Sequence, residues 1–225
     1  LTACAPEAVE KPNVIYILMD DLGYGDLGCY GQERIETPNI DRLRENGMRF
    51  TQHYSGSPVS APSRCVLMTG LHSGHSQVRG NDEMRSRGAV SNYDSMYVHP
   101  YLEGQYPLKA QTMTIGRLMQ QAGYTTGCFG KWGLGYPGSD GVPGKQGFDS
   151  FYGFNCQRQS HTHYPPFLWK NDKRVYLKNK VQDPHRTPVT GDPRDEANYQ
   201  KYTQQEYAHD LIFDELLSFV EENKE

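Results

Sequence analysis

Short apolar runs alternate with helical patterns along much of the chain. Asn13–Met19 is a continuous run of apolar residues, and such a run is typical of a buried strand in a parallel sheet. Met48–Tyr54 and Tyr124–Phe129 predict two further strands, and Arg174–Leu177 is a short strand-like run. Because helical patterns separate the first three runs, we expect an α/β domain with a mixed or mostly parallel sheet flanked by helices.

Three segments carry helix signals. In Thr37–Gly47 a capping threonine precedes a proline at the first helical position, and a glycine ends the pattern. Thr112–Ala122, which Gly123 follows, and Tyr199–Glu222 are amphipathic. Their predicted apolar faces consist of Ile115, Leu118, Met119 and Ala122, and of Tyr207, Leu211, Ile212, Leu216, Phe219 and Val220.

The stretch Ser57–Gly70 predicts a further helix with polar groups at its start. Pro62 fits the first turn, so Ser60 would lie at the helix N-terminus among free backbone N–H groups, which favour an anion. Arg64 is four residues further on and returns to the same face. A hydroxyl and a guanidinium in this arrangement suit a tetrahedral oxyanion. An ordinary capped helix with a surface arginine is the alternative.

Polar groups also follow two of the predicted strands. Asp20–Asp21 comes directly after the first apolar run, and Gly130–Lys131–Trp132 follows the third. Ligands of open α/β sheets bind at the carboxyl ends of the strands. Two adjacent carboxylates there suit a hard cation such as Ca²⁺ or Mg²⁺, although a solvated turn rich in Asp and Gly would look the same.

Composition and charge exclude several classes of function. The 225 residues carry 23 Lys and Arg against 27 Asp and Glu, without a basic stripe, so we expect no nucleic-acid partner. No apolar run is long enough to span a membrane. None of the five cysteines is in CxxC spacing, which argues against a zinc site, and we expect Cys65 and Cys128 to be buried free thiols.

The first four residues, Leu1-Thr2-Ala3-Cys4, are similar to a bacterial lipobox, although a chance match is the alternative. In a lipobox the cysteine becomes lipidated. Residues 1–11 would then be the lipobox and a polar tether, and residues 12–225 the domain that follows them. This interpretation predicts a lipoprotein of the periplasm, outer membrane or cell surface of a bacterium, which touches the membrane only through the lipid on Cys4.

Taken together, the motifs resemble those of the formylglycine-dependent sulfatases in the alkaline phosphatase superfamily. The resemblance runs from about Pro12 to the end of the chain and implies an alkaline phosphatase-like fold. It rests on the order and spacing of Asp20–Asp21, Ser60-x-Pro62-x-Arg64 with Met68-Thr69-Gly70, Gly130-Lys131-Trp132, and Gln146-Gly147-Phe148-Asp149 with Phe151-Tyr152-Gly153.

The resemblance implies a specific chemistry for hydrolysis of sulfate esters. A maturation enzyme would oxidise Ser60 to formylglycine, and one hydroxyl of its hydrate would attack sulfur while the other later expels sulfate. Asp20, Asp21 and residue 60 would hold a divalent cation, Ca²⁺ or alternatively Mg²⁺. Arg64 would keep residue 60 ionised and Lys131 would bridge it to a sulfate oxygen. The implied substrate is a sulfated glycan or an aryl sulfate, and a serine precursor implies the anaerobic maturation route of bacteria.

The chain departs from the family pattern in two places. Gly133 stands where the family commonly has a histidine that touches the sulfate, and we hypothesise that His161 or His163 supplies that imidazole. Both could instead be ordinary loop histidines. The second departure is larger, because nothing after Glu196 resembles the family's remaining metal ligands. We therefore expect the N-terminal part of a longer sulfatase, without its C-terminal part and small subdomain.

Two other functions fit the same residues. A phosphoric-ester hydrolase of the same superfamily would use the same constellation, although a site with one cation favours the single charge of a sulfate monoester over the two of a phosphate. An inactive glycan-binding lipoprotein would explain Gly133 and the aromatic loops near Tyr164 and Trp169. The intact catalytic set argues against inactivity; it comprises Asp20, Asp21, Ser60, Arg64 and Lys131.

Overall fold

A computed structural model describes residues 11–99 and 101–224 of the chain. The chain divides into two compact units, Leu1–Tyr54 and Ser55–Glu225. The proposed lipid-bearing Cys4 lies outside the described residues. Among the described residues, no helix has the length and apolar character needed to cross a membrane.

The first unit is built around one helix, α1, Pro38–Asn46, preceded by the 3₁₀ turns Tyr24–Asp26 and Gly28–Tyr30. This confirms the predicted helix and its proline at the first turn. Asp41 of α1 accepts a hydrogen bond from the backbone N–H of Cys29 at 2.7 Å. The helix thus holds the second 3₁₀ turn through a carboxylate.

Both strands predicted in the first unit are wrong. Residues 13–19 and 48–54 form no strand, and side chains such as Ile15 (66% exposed) and Ile17 (68%) are open to solvent. An apolar run forms a strand only when a neighbouring strand takes up its backbone hydrogen bonds. The described residues offer no such partner, and an apolar pattern alone cannot supply one.

The second unit contains a four-stranded mixed sheet. Its strands are β1, Gly127–Lys131; β2, Ser150–Phe154; β3, Phe167–Lys170; and β4, Lys173–Tyr176, in the order β1-β2-β3-β4. β1 and β2 are parallel, whereas β2–β3 and β3–β4 are antiparallel. The sheet confirms the α/β class and the predicted strands near residues 124–129 and 174–177. β2 and β3 were not predicted.

Four α-helices accompany this sheet: α2, Ser60–Thr69; α3, Tyr93–Val98; α4, Ile115–Gln121; and α5, Ala208–Asn223. α4 confirms the predicted helix but begins three residues later, where the Thr114 side chain caps it. The predicted long C-terminal helix is shorter than expected. It begins at Ala208, because residues 196–202 form a separate 3₁₀ helix.

The apolar faces of the sheet pack against two different helices. On one face Phe151, Phe167 and Trp169 lie in a cluster with Ala61 and Cys65 of α2. On the other face three buried strand residues pack on α5; they are Tyr152, Phe154 and Leu168, against Ala208 and Ile212. Because successive residues of a strand point to opposite faces, β2 and β3 supply both clusters. Helix α2, which carries Ser60, is thereby fixed against the sheet.

The structure confirms the prediction that Cys65 and Cys128 are free thiols. Cys65 is buried and Cys128 is half-buried, and both are free. Cys128 lies on β1 near Arg64, and burial raises the pKa of its thiol to about 12 despite that positive charge. It is therefore a neutral packing residue and not a second nucleophile.

Candidate functional site

Ser60 is the first residue of α2, as the sequence predicts. Val59 precedes it in an extended conformation, and Pro62 lies in the first turn, where a missing N–H is tolerated. The helix ends at Gly70, whose left-handed backbone (φ 67°) lets its N–H donate to the carbonyl of Val66 at 2.9 Å. Local signals at both ends therefore place the Ser60 hydroxyl at the helix N-terminus.

Arg64 joins Ser60 to the sheet. Its Nε donates to the Ser60 Oγ at 3.1 Å, and its Nη1 donates to the backbone carbonyl of Lys131 at 2.5 Å. The first contact confirms that the two side chains share one helix face, since they are four residues apart. The second brings the end of β1 to the same guanidinium. An oxyanion at position 60 would lie against a fixed positive charge.

The helix N-terminus is less open to an anion than the sequence suggests. Pro62 has no N–H, and the N–H of Ala61 donates to Oδ1 of Asn81 at 2.8 Å. The expectation of free backbone N–H groups at this helix start is therefore wrong for Ala61. Asn81 is a positioning residue that sequence reasoning missed, because it lies 20 residues from Ala61 and no local pattern joins the two.

The residues after β1 are held by buried polar contacts. The Trp132 side chain is 1% exposed, and its Nε1 donates to the carbonyl of Gly141 at 2.7 Å. Gln146 is fully buried and donates through Nε2 to the carbonyl of Asp140 at 2.7 Å. These contacts fix the loop that follows Lys131, so two residues of the family-like motifs have structural roles.

Asp149 anchors the start of β1. Its carboxylate accepts hydrogen bonds from the backbone N–H and the hydroxyl of Thr126, each at 2.9 Å. Burial would raise the pKa of Asp149, but these hydrogen bonds and one from Gln120 hold it below its usual value. The carboxylate is therefore ionised and bonded within the fold.

Gly133 lies two residues beyond Lys131, in buried backbone that continues the pairing of β1 with β2. Its N–H donates to the carbonyl of Asn155 at 3.2 Å, and the N–H of Trp132 donates to Phe154 at 2.9 Å. A Cβ at position 133 would meet Oε1 of Gln157 at 3.2 Å. The Gln157 side chain therefore takes the space beside Gly133.

His161 and His163 each lie next to another histidine. Nδ1 of His161 is 3.2 Å from Nε2 of His185, and Nδ1 of His163 is 2.9 Å from Nε2 of His209. Both contacts are exposed to solvent. The structure thus places these two histidines in imidazole pairs, and their role at the sulfate stays a prediction.

Asp20 and Asp21 belong to the first unit, and both are exposed. Asp21 has a left-handed backbone (φ 56°), which a non-glycine residue adopts uncommonly. Their carboxylate oxygens are suitable donors for a hard divalent cation. In the described part of the chain no group of three or more His, Cys, Asp or Glu side chains could hold a metal ion, so these two residues would supply only part of a coordination shell.

The comparison with protein families decides the assignment. The family model "Sulfatase" matches residues 12–225, almost the entire chain. The chain belongs to the sulfatase family. This confirms the resemblance inferred from the motifs around Asp20, Ser60 and Lys131.

Similar proteins include sulfatases from animals and bacteria. The sulfatase-family chain is 41% identical to human arylsulfatase D over 160 residues, which are 68% of this chain and 25% of that protein. It is 36% identical to rat steryl-sulfatase over 155 residues, with 67% of this chain and 25% of that protein covered. The chain thus spans about a quarter of the length of the curated relatives it matches.

Solved structures support the sulfatase fold. One, from work on glycosaminoglycan metabolism by Bacteroides thetaiotaomicron, aligns with a TM-score of 0.58 at 32% identity and covers 73% of this chain and 32% of that one. A second was solved with its substrate D-glucosamine-2-N,6-O-disulfate; it aligns at 0.59 and 26% identity, covering 94% and 31%. A third, solved with a neocarrahexaose, aligns at 0.53 and 30% identity, covering 72% and 36%.

Proposed function

We propose that the protein hydrolyses sulfate esters, with residue 60 in its formylglycine form as the nucleophile. The observation that carries the proposal is the Arg64 guanidinium, which bonds both the Ser60 hydroxyl and the backbone of Lys131 at the end of β1. In a chain of the sulfatase family, this arrangement places a positive charge where a nucleophilic oxygen of residue 60 would ionise.

Arg64, Lys131 and residue 60 of the second unit then have separate roles in the reaction. Arg64 stabilises negative charge on residue 60 through the Nε–H that now donates to Oγ at 3.1 Å. Lys131, at the end of β1, binds a sulfate oxygen. Formylglycine supplies a geminal diol, so that the sulfated residue can release sulfate without a second attack by water. The maturation enzyme that produces it is a required partner.

Asp20 and Asp21 would be ligands of a divalent cation, Ca²⁺ or Mg²⁺. The fit rests on donor chemistry, since two adjacent exposed carboxylates are ligands that hard cations prefer. Such a cation lowers the pKa of a bound hydroxyl and polarises the sulfate. The remaining ligands of the cation would have to be groups other than the carboxylates of Asp20 and Asp21.

The substrate we propose is a sulfated glycan. Two structural neighbours support this class, since one was solved with a glucosamine disulfate and another with a carrageenan oligosaccharide. Aromatic side chains of the second unit, such as Tyr164 and Tyr207, whose ring centroids are 5.4 Å apart, offer surfaces on which sugar rings can stack. His161 and His163 remain candidates for contact with the sulfate.

We also propose that the chain is the N-terminal part of a longer bacterial sulfatase. The match covers about a quarter of the length of its curated relatives, which supports this proposal. The lipobox-like Leu1–Cys4 supports anchoring to the periplasmic or outer face of a bacterial membrane.

Sulfate release from the full-length protein tests the proposal. We expect turnover of 4-nitrophenyl sulfate and of sulfated sugars from glycosaminoglycans or carrageenan, and much slower turnover of 4-nitrophenyl phosphate. Ser60→Ala removes the nucleophile and should abolish release, whereas Ser218→Ala on α5 should leave it unchanged. Faster phosphate release would assign a phosphoric-ester hydrolase. Sugar binding without turnover would assign a glycan-binding protein.

A further inference from the structure

Two buried amide side chains beyond β2 have polar atoms without partners. Asn155 is 3% exposed and Gln157 is 6% exposed. Asn155 Nδ2 and Gln157 Oε1 have no hydrogen-bond partner among the described residues. Buried amide groups in proteins are nearly always hydrogen-bonded, because an unpaired one has lost water without replacement. These two atoms therefore need an explanation.

Their position relates them to the candidate active site. The carbonyl of Asn155 accepts from the N–H of Gly133, at the end where β1 finishes with Lys131. The carbonyl of Lys131 in turn accepts from Arg64, which bonds Ser60. The backbone of Asn155 and the side chain of Gln157 thus lie beside Gly133, two residues from Lys131, whose carbonyl accepts a hydrogen bond from Arg64.

Gly133 provides the space that the Gln157 side chain occupies. A Cβ at position 133 would be 3.2 Å from Oε1 and 3.5 Å from Cβ of Gln157. The first distance is tighter than ordinary contact, so a larger residue at 133 would push the amide aside. Gly133 also has φ 73°, which L side chains rarely adopt.

We propose that the Gln157 carboxamide binds the substrate by donating a hydrogen bond to an oxygen of the sulfate group, and that Gly133 leaves room for it. This inference rests on the proposed function. A half-turn of the amide about χ3 exchanges its oxygen and its NH₂ group, so the end of the side chain beside Gly133 can donate. A donor without charge keeps this bond at every working pH, unlike an imidazole.

This inference gives Gln157 the role that the sequence suggested for His161 or His163. Those two histidines lie four and six residues further along the chain and contact His185 and His209. Gln157 is the residue whose side chain stands beside Gly133. Alanine variants at the two histidines separate the alternatives.

The first test replaces Gln157 by leucine in the full-length protein. Gln157→Leu keeps the volume and removes the hydrogen bond, so kcat/KM for 4-nitrophenyl sulfate should fall by about 10- to 100-fold, as for a lost bond to a charged group. Gln159→Leu is the matched control, because Gln159 (3% exposed) is buried like Gln157 (6%) and lies in the same 3₁₀ helix. It should retain turnover.

The second test uses the glycine. Gly133→Ala should lower kcat/KM because its Cβ displaces the amide. Gly138→Ala is the control, since Gly138 has a similar φ of 82° but no neighbouring atom within 4 Å of the position that a Cβ would take. It carries the same backbone strain without the contact, and should remain active.

Calorimetric titration with sodium sulfate separates this inference from the proposed function. Wild type should bind sulfate, and Gln157→Leu should raise the Kd by about tenfold or more. If wild type binds sulfate but hydrolyses no ester, the proposed function fails while the Kd comparison still decides the role of Gln157. An unchanged Kd and kcat/KM in Gln157→Leu, or loss of turnover only in His161→Ala or His163→Ala, would overturn it. A Gln157→Leu variant that loses thermal stability but binds sulfate with the wild-type Kd would also overturn the inference.

Discussion

At the scale of single residues, the best-defined chemical feature is one arginine that bonds two distant groups. Arg64 donates to a hydroxyl on its own helix and to a carbonyl 67 positions away. The first contact follows from helical spacing and was predictable. The second depends on how α2 packs against β1, and no local pattern contains it.

A second residue, Glu103, leads to a prediction about pH. It is fully buried and accepts a hydrogen bond from Nε1 of Trp169. Burial raises the pKa of its carboxyl to about 8, and the nearby Arg174 and the Trp169 hydrogen bond only partly oppose this. Between pH 4.5 and about 8 the Glu103 carboxyl therefore keeps its proton in the folded protein. In the unfolded chain the same carboxyl has its ordinary pKa of 4.5 and has lost the proton over this range.

Stability should consequently fall as the pH rises from 4.5 towards 8, because the folded state binds the extra proton. Glu103→Gln keeps an acceptor for Trp169 and cannot ionise, so its stability should not show this fall. The measurement is the difference in Tm between wild type and the variant across that pH range. A difference that stays constant with pH would contradict the assignment.

At the scale of elements, most helices were predictable, whereas only two of the four predicted strands, near residues 124–129 and 174–177, were confirmed. α1 and α2 carry their own start and stop signals, such as Pro38 and Gly70, so their bounds follow from nearby residues. A strand needs a partner from elsewhere in the chain. For that reason residues 13–19 form no strand despite their apolar pattern. The opposite failure is β2, which was not predicted because Gly153 interrupts its apolar residues.

The start of α2 yields a prediction for Asn81. Asn81→Ala removes the acceptor of the Ala61 N–H, and a lost cap of this kind costs about 1 kcal/mol. Amide hydrogen exchange over α2 should then be roughly fivefold faster. Asn81→Asp is the matched control, because it keeps the acceptor and places a negative charge at a helix N-terminus. Equal exchange in both variants would show that the contact does not hold the helix.

At the scale of the whole molecule, the motifs that identify the family are spread along the chain from Asp20 to Lys131. Ser60, Arg64 and Lys131 belong to the second unit, and Asp20 and Asp21 to the first. Their order and spacing along the sequence were enough to predict the family, since the combination of motifs is far more specific than any one of them. The contact between Arg64 and the carbonyl of Lys131 is a tertiary property of the second unit, which motif spacing does not contain.

The central claim is that residue 60 of this sulfatase-family protein is the precursor of its nucleophile. The most direct test is the mass of the tryptic peptide that ends at Arg64 and begins at Phe50, taken from protein produced with its maturation enzyme. Conversion of the serine to formylglycine predicts a loss of about two hydrogens on Ser60 in that peptide. An unmodified Ser60 in protein that still releases sulfate would contradict the account.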